Sequence, residues 1–396
     1  MFAVRILFLN WRDTTNPEGG GSERYVENVA TRLAAVGHTV TVFCAAHAQA
    51  PADETSAGVR YVRRGSKLGV YPHALWHLAA RRLGRVDVVV DVQNGMPFFS
   101  RLVTRKPVVV LVHHVHREQW RVVYGPLRAR IGWWIESRVA PVLYRRSQYV
   151  AVSEVTRDEL VGLGVDRERV AVVHNGTEPA LAPTVAPCEL PLLCVLGRLV
   201  PHKRVEHALE TVRRLAPGLP GLRLTVVGQG WWDERLRGAA VELGVDHLVT
   251  FTGYVDDTAK HAALARSWVL LAPSLKEGWG LSVVEAASHG VPTVAYRSAG
   301  GVAESVHHGE TGLLVEDDLD AFVAATLRLL SDETLRRRMG SAARERAGQF
   351  TWGDAADSFL LVLRTALSGG TRQDSDPGSP TGHRPEDLQE TGQRLP

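Results

Sequence analysis

Short, continuously apolar segments separated by helical periods constrain this chain more than any other feature. Ile6-Leu7-Phe8-Leu9 and Val108-Val109-Val110-Leu111-Val112 are examples. Runs of this kind suit strands buried on both faces, and the spacing between them leaves room for a helix each time. The pattern predicts parallel sheets covered by helices. Candidate strands are 4–9, 39–44, 87–91, 107–113, 148–152 and 170–173, then 192–196, 222–227, 248–251, 268–271 and 292–295. The rhythm breaks at Ala182-Pro183-Thr184-Val185-Ala186-Pro187, which reads as a linker. A chain of 396 residues also exceeds one ordinary core. The expected fold class is therefore α/β: two Rossmann-like domains, over 1–180 and 188–352, whose ligand edges face a central cleft. A helix over 353–367 is expected to pack back toward the N-terminal domain. Residues 368–396, with almost nothing apolar, are expected to be disordered.

Composition narrows the function. A net charge of +3 is too small to argue for nucleic acid. Cys44, Cys188 and Cys194 have no ligand spacing and read as reduced thiols, neither a disulfide framework nor a zinc site. No apolar run approaches the roughly 18 residues of a membrane span. The first apolar segment, interrupted by Arg5, reads as a buried strand and not a signal peptide. A cytoplasmic protein is expected.

Glu277-Gly278-Trp279-Gly280-Leu281-Ser282-Val283-Val284-Glu285 carries the most chemistry. One carboxylate lies on a glycine-rich turn, the other inside the helix that the turn opens. Gly278 and Gly280 let the backbone approach a ligand closely, and N–H groups at a helix start attract anions. A carboxylate on either side accepts paired hydrogen bonds from vicinal hydroxyls, as on a sugar or a ribose. Phosphate in the middle and polyols at both ends describe a nucleotide sugar.

Three further segments sit at strand ends. After the first strand, Gly19-Gly20-Gly21-Ser22-Glu23 opens a helix, which is a phosphate-binding arrangement. The fingerprint Gly-x-Gly-x-x-Gly is absent, which counts against a nicotinamide enzyme. Arg198 and Lys203 leave strand 192–196 together, where cations can pair with a diphosphate, although no P-loop is matched. Strand 107–113 ends in His113, and His114 and His116 follow it. No carboxylate or cysteine completes a metal set there, so a cleft histidine bonding a sugar hydroxyl is the better reading. Asp256-Asp257 and Asp317-Asp318 suit loop or helix-cap roles better than metal binding. Trp231 and Trp232 suit a pocket wall and a structural role equally.

Residues 117–149 are basic and aromatic, opposed only by Glu118 and Glu136. One reading is a surface for a lipid-linked or anionic acceptor, with peripheral contact at the inner face of a membrane. The simpler reading is a helix whose Trp133 and Trp134 pack on the sheet beneath a solvated cationic face.

Taken together these segments resemble the family 4 glycosyltransferases, retaining enzymes of the two-Rossmann-domain (GT-B) fold. The resemblance covers roughly residues 4–365. It rests on Glu277-x7-Glu285, Ala299-Gly300-Gly301-Val302-Ala303-Glu304 and Gly309-Glu310-Thr311-Gly312-Leu313-Leu314-Val315, supported by Gly197-Arg198, Lys203, His174-Asn175-Gly176 and Pro273-Ser274. Val302 stands where a proline is common, and Glu178 where an aspartate is usual.

The resemblance implies a hexosyl-type transfer from a UDP- or GDP-linked sugar to an acceptor hydroxyl, with neither cofactor nor metal. It implies that Glu277 holds donor sugar hydroxyls and Glu285 the ribose. Arg198 and Lys203 would bind the diphosphate with Gly280, Leu281 and Gly21, and Val255 would lie against the base. His113 would stand near the reaction centre, with Gly20 and His114 on the acceptor side and a one-residue slip between the two histidines left open. A nucleotide-sugar epimerase of the same architecture and a non-catalytic nucleotide-sugar binding protein are the alternatives.

Overall fold

The computed structural model describes residues 3–178 and 185–369. Eight strands form the first sheet: β1 (Arg5–Leu9), β2 (Thr39–Cys44), β3 (Asp53–Ser56), β4 (Val59–Arg63), β5 (Val88–Gln93), β6 (Val108–Val112), β7 (Gln148–Ala151) and β8 (Val170–Val172). Their spatial order is β3-β4-β2-β1-β5-β6-β7-β8. Six more form the second: β9 (Leu192–Leu196), β10 (Arg223–Val227), β11 (Val249–Gly253), β12 (Val269–Ala272), β13 (Thr293–Tyr296) and β14 (Gly312–Val315). They lie in the order β11-β10-β9-β12-β13-β14. Each sheet reverses its order beside its first strand, and a doubly wound sheet opens its ligand crevice at such a switch point. Two α/β domains of the GT-B type result.

The expected strands all form, with ends shifted by a residue or two. Three others were not anticipated. β3 is Asp53-Glu54-Thr55-Ser56, without an apolar residue, and it runs antiparallel to β4, against the expectation of wholly parallel sheets. In β4 the run is disguised by Arg63, which is buried because its Nε donates to Asp13 at 2.5 Å. β14 was read only as part of a motif.

Helix Trp352–Ser368 starts at Thr351, whose hydroxyl accepts the Asp354 N–H at 3.0 Å. It packs on helix Gly21–Ala35 and across β5, β6 and β7 of the first sheet, stacking Phe359 on Phe8. The core under it also takes in Trp279, Val284 and Ala287 from the second half, so apolar packing is continuous across the domain boundary. Residues 182–184 of the expected linker and 370–396 of the expected tail lie outside the described residues. Among the described residues, no helix is long and apolar enough to cross a membrane.

One local expectation fails. Trp133 is half-buried against the core, but the side chain of Trp134 is 59% exposed and does not pack on the sheet. The two are adjacent on one helix, so their directions differ by about 100°.

Candidate donor and acceptor site

The donor side is built where β9 and β12 end. Beyond β9, Gly197-Arg198 leads to the turn Pro201–Lys203, and beyond β12, Pro273-Ser274 leads to Glu277. The Lys203 ammonium pairs with Glu277 Oε1, and the Ser274 hydroxyl donates to the same oxygen at 2.7 Å. Burial pushes the Glu277 carboxyl up, but the Lys203 charge and these hydrogen bonds outweigh it and hold it below the usual range. Glu277 is thus an ionised acceptor in a small crevice lined also by Arg198, Ser274 and Ser282. The chain then turns through Gly280, whose φ of +88° favours glycine, into helix Leu281–Ser288.

One turn further on, Glu285 accepts from Lys260 Nζ at 2.6 Å and lies 3.7 Å from Arg24 of the other domain. Arg24 also pairs with Asp257. Val255 is half-buried next to the exposed Tyr254 at the end of β11. Trp231 is exposed, whereas Trp232 donates its indole N–H to Glu206 at 2.6 Å and is structural.

Opposite lies the start of helix Gly21–Ala35. A Cβ on Gly21 would stand 3.8 Å from the Leu281 side chain, and one on Gly20 would stand 3.0 Å from Arg198 Nε. The two helix starts therefore face each other across the cleft, with Arg198 between them. Glu23, buried, accepts the Gly20 N–H at 2.8 Å and closes the glycine turn. Burial raises the Glu23 carboxyl, but Arg12 and Arg198 outweigh this and hold it low.

The two candidate histidines separate. His113 is buried with its ring edge-on to Tyr25 at 5.3 Å, and its Nε2 has no partner among the described residues. Burial lowers its pKa to about 4, so the imidazole is neutral. His114 turns the other way, stacking on His116 at 4.0 Å and bonding Gln119 at 2.7 Å. A buried carboxylate that the sequence did not single out, Glu136, holds this segment from behind. It accepts from the His116 N–H at 3.0 Å and the Trp120 indole N–H at 2.7 Å, and meets His116 Nδ1 at 3.1 Å. Glu136 sits in a single π-turn, Ile135–Val139, a local widening often found near functional sites.

The domains meet closely. A Cβ on Gly278 would lie 2.0 Å from the His113 carbonyl oxygen, so only glycine permits this approach. Glu304 accepts the N–H groups of Glu154 and Val155 at 2.9 and 2.7 Å, capping helix Glu154–Gly162 from across the boundary. Lys276 pairs with Glu159. At the crossing, His174 stacks on Trp279 at 4.3 Å.

The geometry thus brings Gly20, Gly21, His113, Arg198, Lys203, Glu277, Gly280 and Leu281 around one cleft, with Glu285 beside Arg24. Arg24, Lys260 and Glu136 were missed. The sequence carried a cue for Glu23, a carboxylate three residues into a helix after a glycine cap. Asp256 and Asp318 prove to be helix N-caps, accepting from Ala259 and Ala321 at 2.8 Å each. Among the described residues no group of three or more His, Cys, Asp or Glu is placed to hold a metal ion.

Comparison with known proteins identifies the family. Two family models match consecutive parts of the chain: "Glycosyltransferase Family 4" over 19–181 and "Glycosyl transferases group 1" over 181–346. A glycogen synthase of Mycobacterium tuberculosis is 26% identical, over 92% of this chain and 96% of its own length. A GDP-mannose-dependent alpha-(1-6)-phosphatidylinositol monomannoside mannosyltransferase of the same species is 29% identical over 88% and 95%. The sucrose-phosphate synthase of Thermosynechococcus elongatus superposes with a TM-score of 0.78 at 20% identity, over 93% of this chain and all of that one. Anabaena Alr3699/HepE, solved with UDP and glucose, gives 0.69 at 19% over 91% and 100%. At such identities the two structures speak for the fold. The epimerase alternative gains no support from these relatives. The chain belongs to the family 4 glycosyltransferases, and it is a retaining enzyme that moves a glycosyl group from a nucleotide sugar to an acceptor hydroxyl.

Proposed function

We propose that the cleft binds a UDP- or GDP-linked hexose without metal and transfers the hexose to a lipid-linked or anionic acceptor. The observation that carries the donor side is the Lys203–Glu277–Ser274 cluster beside the start of helix Leu281–Ser288. In this reading Lys203 exchanges its carboxylate partner for the diphosphate, and Glu277 is released to accept from sugar hydroxyls. Arg198 and the N–H groups of Gly280 and Leu281 share the negative charge that grows on the leaving group. Glu285 takes the ribose, Val255 lies against the base, and Gly21 gives the phosphates room.

His113 is neutral in the cleft, so it serves as a hydrogen-bond partner near the anomeric carbon and not as a fixed cation. The acceptor enters beside Gly20 and His114. Its hydroxyl attacks on the face from which the diphosphate departs, the departing phosphate oxygen takes the hydroxyl proton, and configuration is retained. Closure of the two domains excludes water that would otherwise hydrolyse the donor. The basic stretch 117–149 supports an anionic or lipid-linked acceptor.

The test is calorimetric titration of UDP, GDP, dTDP and ADP into the protein in EDTA. Selective binding of one nucleotide supports a metal-independent diphosphate site and fixes the donor series. Binding that appears only with magnesium overturns the metal-free reading.

A further inference from the structure

Helix Pro126–Trp134 has two unlike faces. Inward it presents Ala129 and Gly132, and a Cβ on Gly132 would lie 2.5 Å from the Trp120 ring, so this side is closely packed. Outward it presents Leu127, Ile131 and Trp134, which are 70%, 50% and 59% exposed. Their spacing of four and three residues sets them in one stripe along the helix. Arg128, Arg130 and Arg138, all exposed, flank or extend that stripe. Among the described residues none of the three is ion-paired. The single acid between Pro126 and Val139 is Glu136, and it is turned inward, 1% exposed, onto His116 and Trp120. The outer face of this helix is therefore apolar and cationic with no acid of its own.

Water does not favour such a face. A stripe of Leu, Ile and Trp bordered by arginines is the profile of a helix lying in a membrane interface, apolar residues among acyl chains and cations at the headgroups. Charge decides between occupants: a second copy docked through the same face would bring like-charged arginines together, whereas an anionic bilayer neutralises them. We infer that helix Pro126–Trp134 docks this enzyme on an anionic lipid surface.

The neighbourhood gives the docking a direction. Helix Arg117–Val123 packs on this helix and also touches the turn Pro201–Lys203 at the cleft. The lipid face thus adjoins the side where His114 and His116 stand. This extends the lipid-linked acceptor reading, but its test measures docking and not transfer, so the two can fail separately.

The experiment is flotation of the full chain with vesicles of phosphatidylcholine alone, or with about one third phosphatidylglycerol. Strong salt-sensitive partition to the anionic vesicles is expected, with little to the neutral ones. Replacing the stripe (Leu127→Ser, Ile131→Ser, Trp134→Ser together) lowers the partition about tenfold or more. Arg128→Gln with Arg130→Gln and Arg138→Gln gives a comparable loss on anionic vesicles. Nucleotide affinity, unchanged in both variants, shows that they fold. On vesicles, a blue shift in tryptophan emission present in the native chain and lost in Trp134→Phe places that indole in lipid. Native partition by the triple serine variant, or failure of the native chain to bind anionic vesicles, overturns the inference. Self-association that the serine variant abolishes, without vesicle binding, assigns the face to a second copy instead.

Discussion

The two sides of the cleft handle charge in opposite ways. On the donor side, cations and carboxylates are paired with each other: Lys203 with Glu277, and Lys260 with Glu285 beside Arg24. On the acceptor side, the carboxylates are committed to the scaffold, Glu23 to the Gly20 turn and Glu136 to His116 and Trp120, while the buried His113 and the half-buried His114 are uncharged. One side holds exchangeable partners, which a phosphate or a diol can replace without leaving a buried charge bare. The other holds a shape. A nucleotide is recognised largely by charge and paired hydroxyls, while the geometry of attack depends on where the acceptor stands.

The largest effect that can test this division is Gly278→Ala. The added carbon would strike the His113 carbonyl and force the domains apart at the cleft. Since misplacement by about 1 Å can cost about a hundredfold, kcat/KM should fall by roughly that factor while isolated nucleotide binding changes less. Equal losses in both would mean that the two sides are not separable. Next come Lys203→Ala and Glu285→Ala, each expected to weaken nucleotide binding by about tenfold or more, read by calorimetry with thermal unfolding as the control. Unchanged affinity in both would remove the exchange idea. For Glu277→Ala, transfer should suffer more than free-nucleotide affinity, because the sugar contact is what disappears.

Acid should act through the neutral histidines. Burial lowers both His113 and His202 to about 4, His116 and Lys203 respectively adding to the effect, while Glu23 opposes it at His113 and Glu277 at His202. A lowered folded-state pKa means that the unfolded chain binds the proton first. Stability is therefore complete above about pH 6.5 and declines as pH falls toward 4, by up to about 1.4 kcal/mol per pH unit per histidine. Urea melts across that window should show the slope, and His202→Asn should flatten it. A slope unaffected by that change would place the proton uptake elsewhere. The smallest effect is expected for Glu136→Gln: an acceptor KM raised several-fold with nucleotide affinity intact. A fall in nucleotide affinity there would erase the contrast.

What the sequence revealed follows from the range of each interaction. Glu277, Gly278, Gly280 and Glu285 lie within nine consecutive residues, so their relation is written locally. Arg198 and Lys203 were legible because a strand end fixes where they emerge. Lys260 was not, for it sits in an ordinary helical stretch and finds Glu285 only after folding. Arg24 meets Asp257 across the two domains, and Glu136 reaches back to His116 through a π-turn that no residue type announces. The polar strand β3 escaped because pairing with β4, and not its composition, makes it a strand.

The return of the chain at its C-terminal end has a mechanical consequence. Thr177, leaving the first domain, donates its N–H to the Phe350 carbonyl at 2.9 Å and its hydroxyl to the same oxygen at 3.1 Å. Thr177 and Thr351 bridge side by side, and a Cβ on Gly176 would lie 2.2 Å from the Trp352 nitrogen. The halves are thus joined by two adjacent strands of chain bonded to each other. A single tether leaves bend and swivel free, whereas a paired joint suppresses swivel and leaves rocking about one line. If the domains open for turnover, a joint paired in this way is expected to guide them along one arc, so that Lys203 and His113 come back to the same register each time.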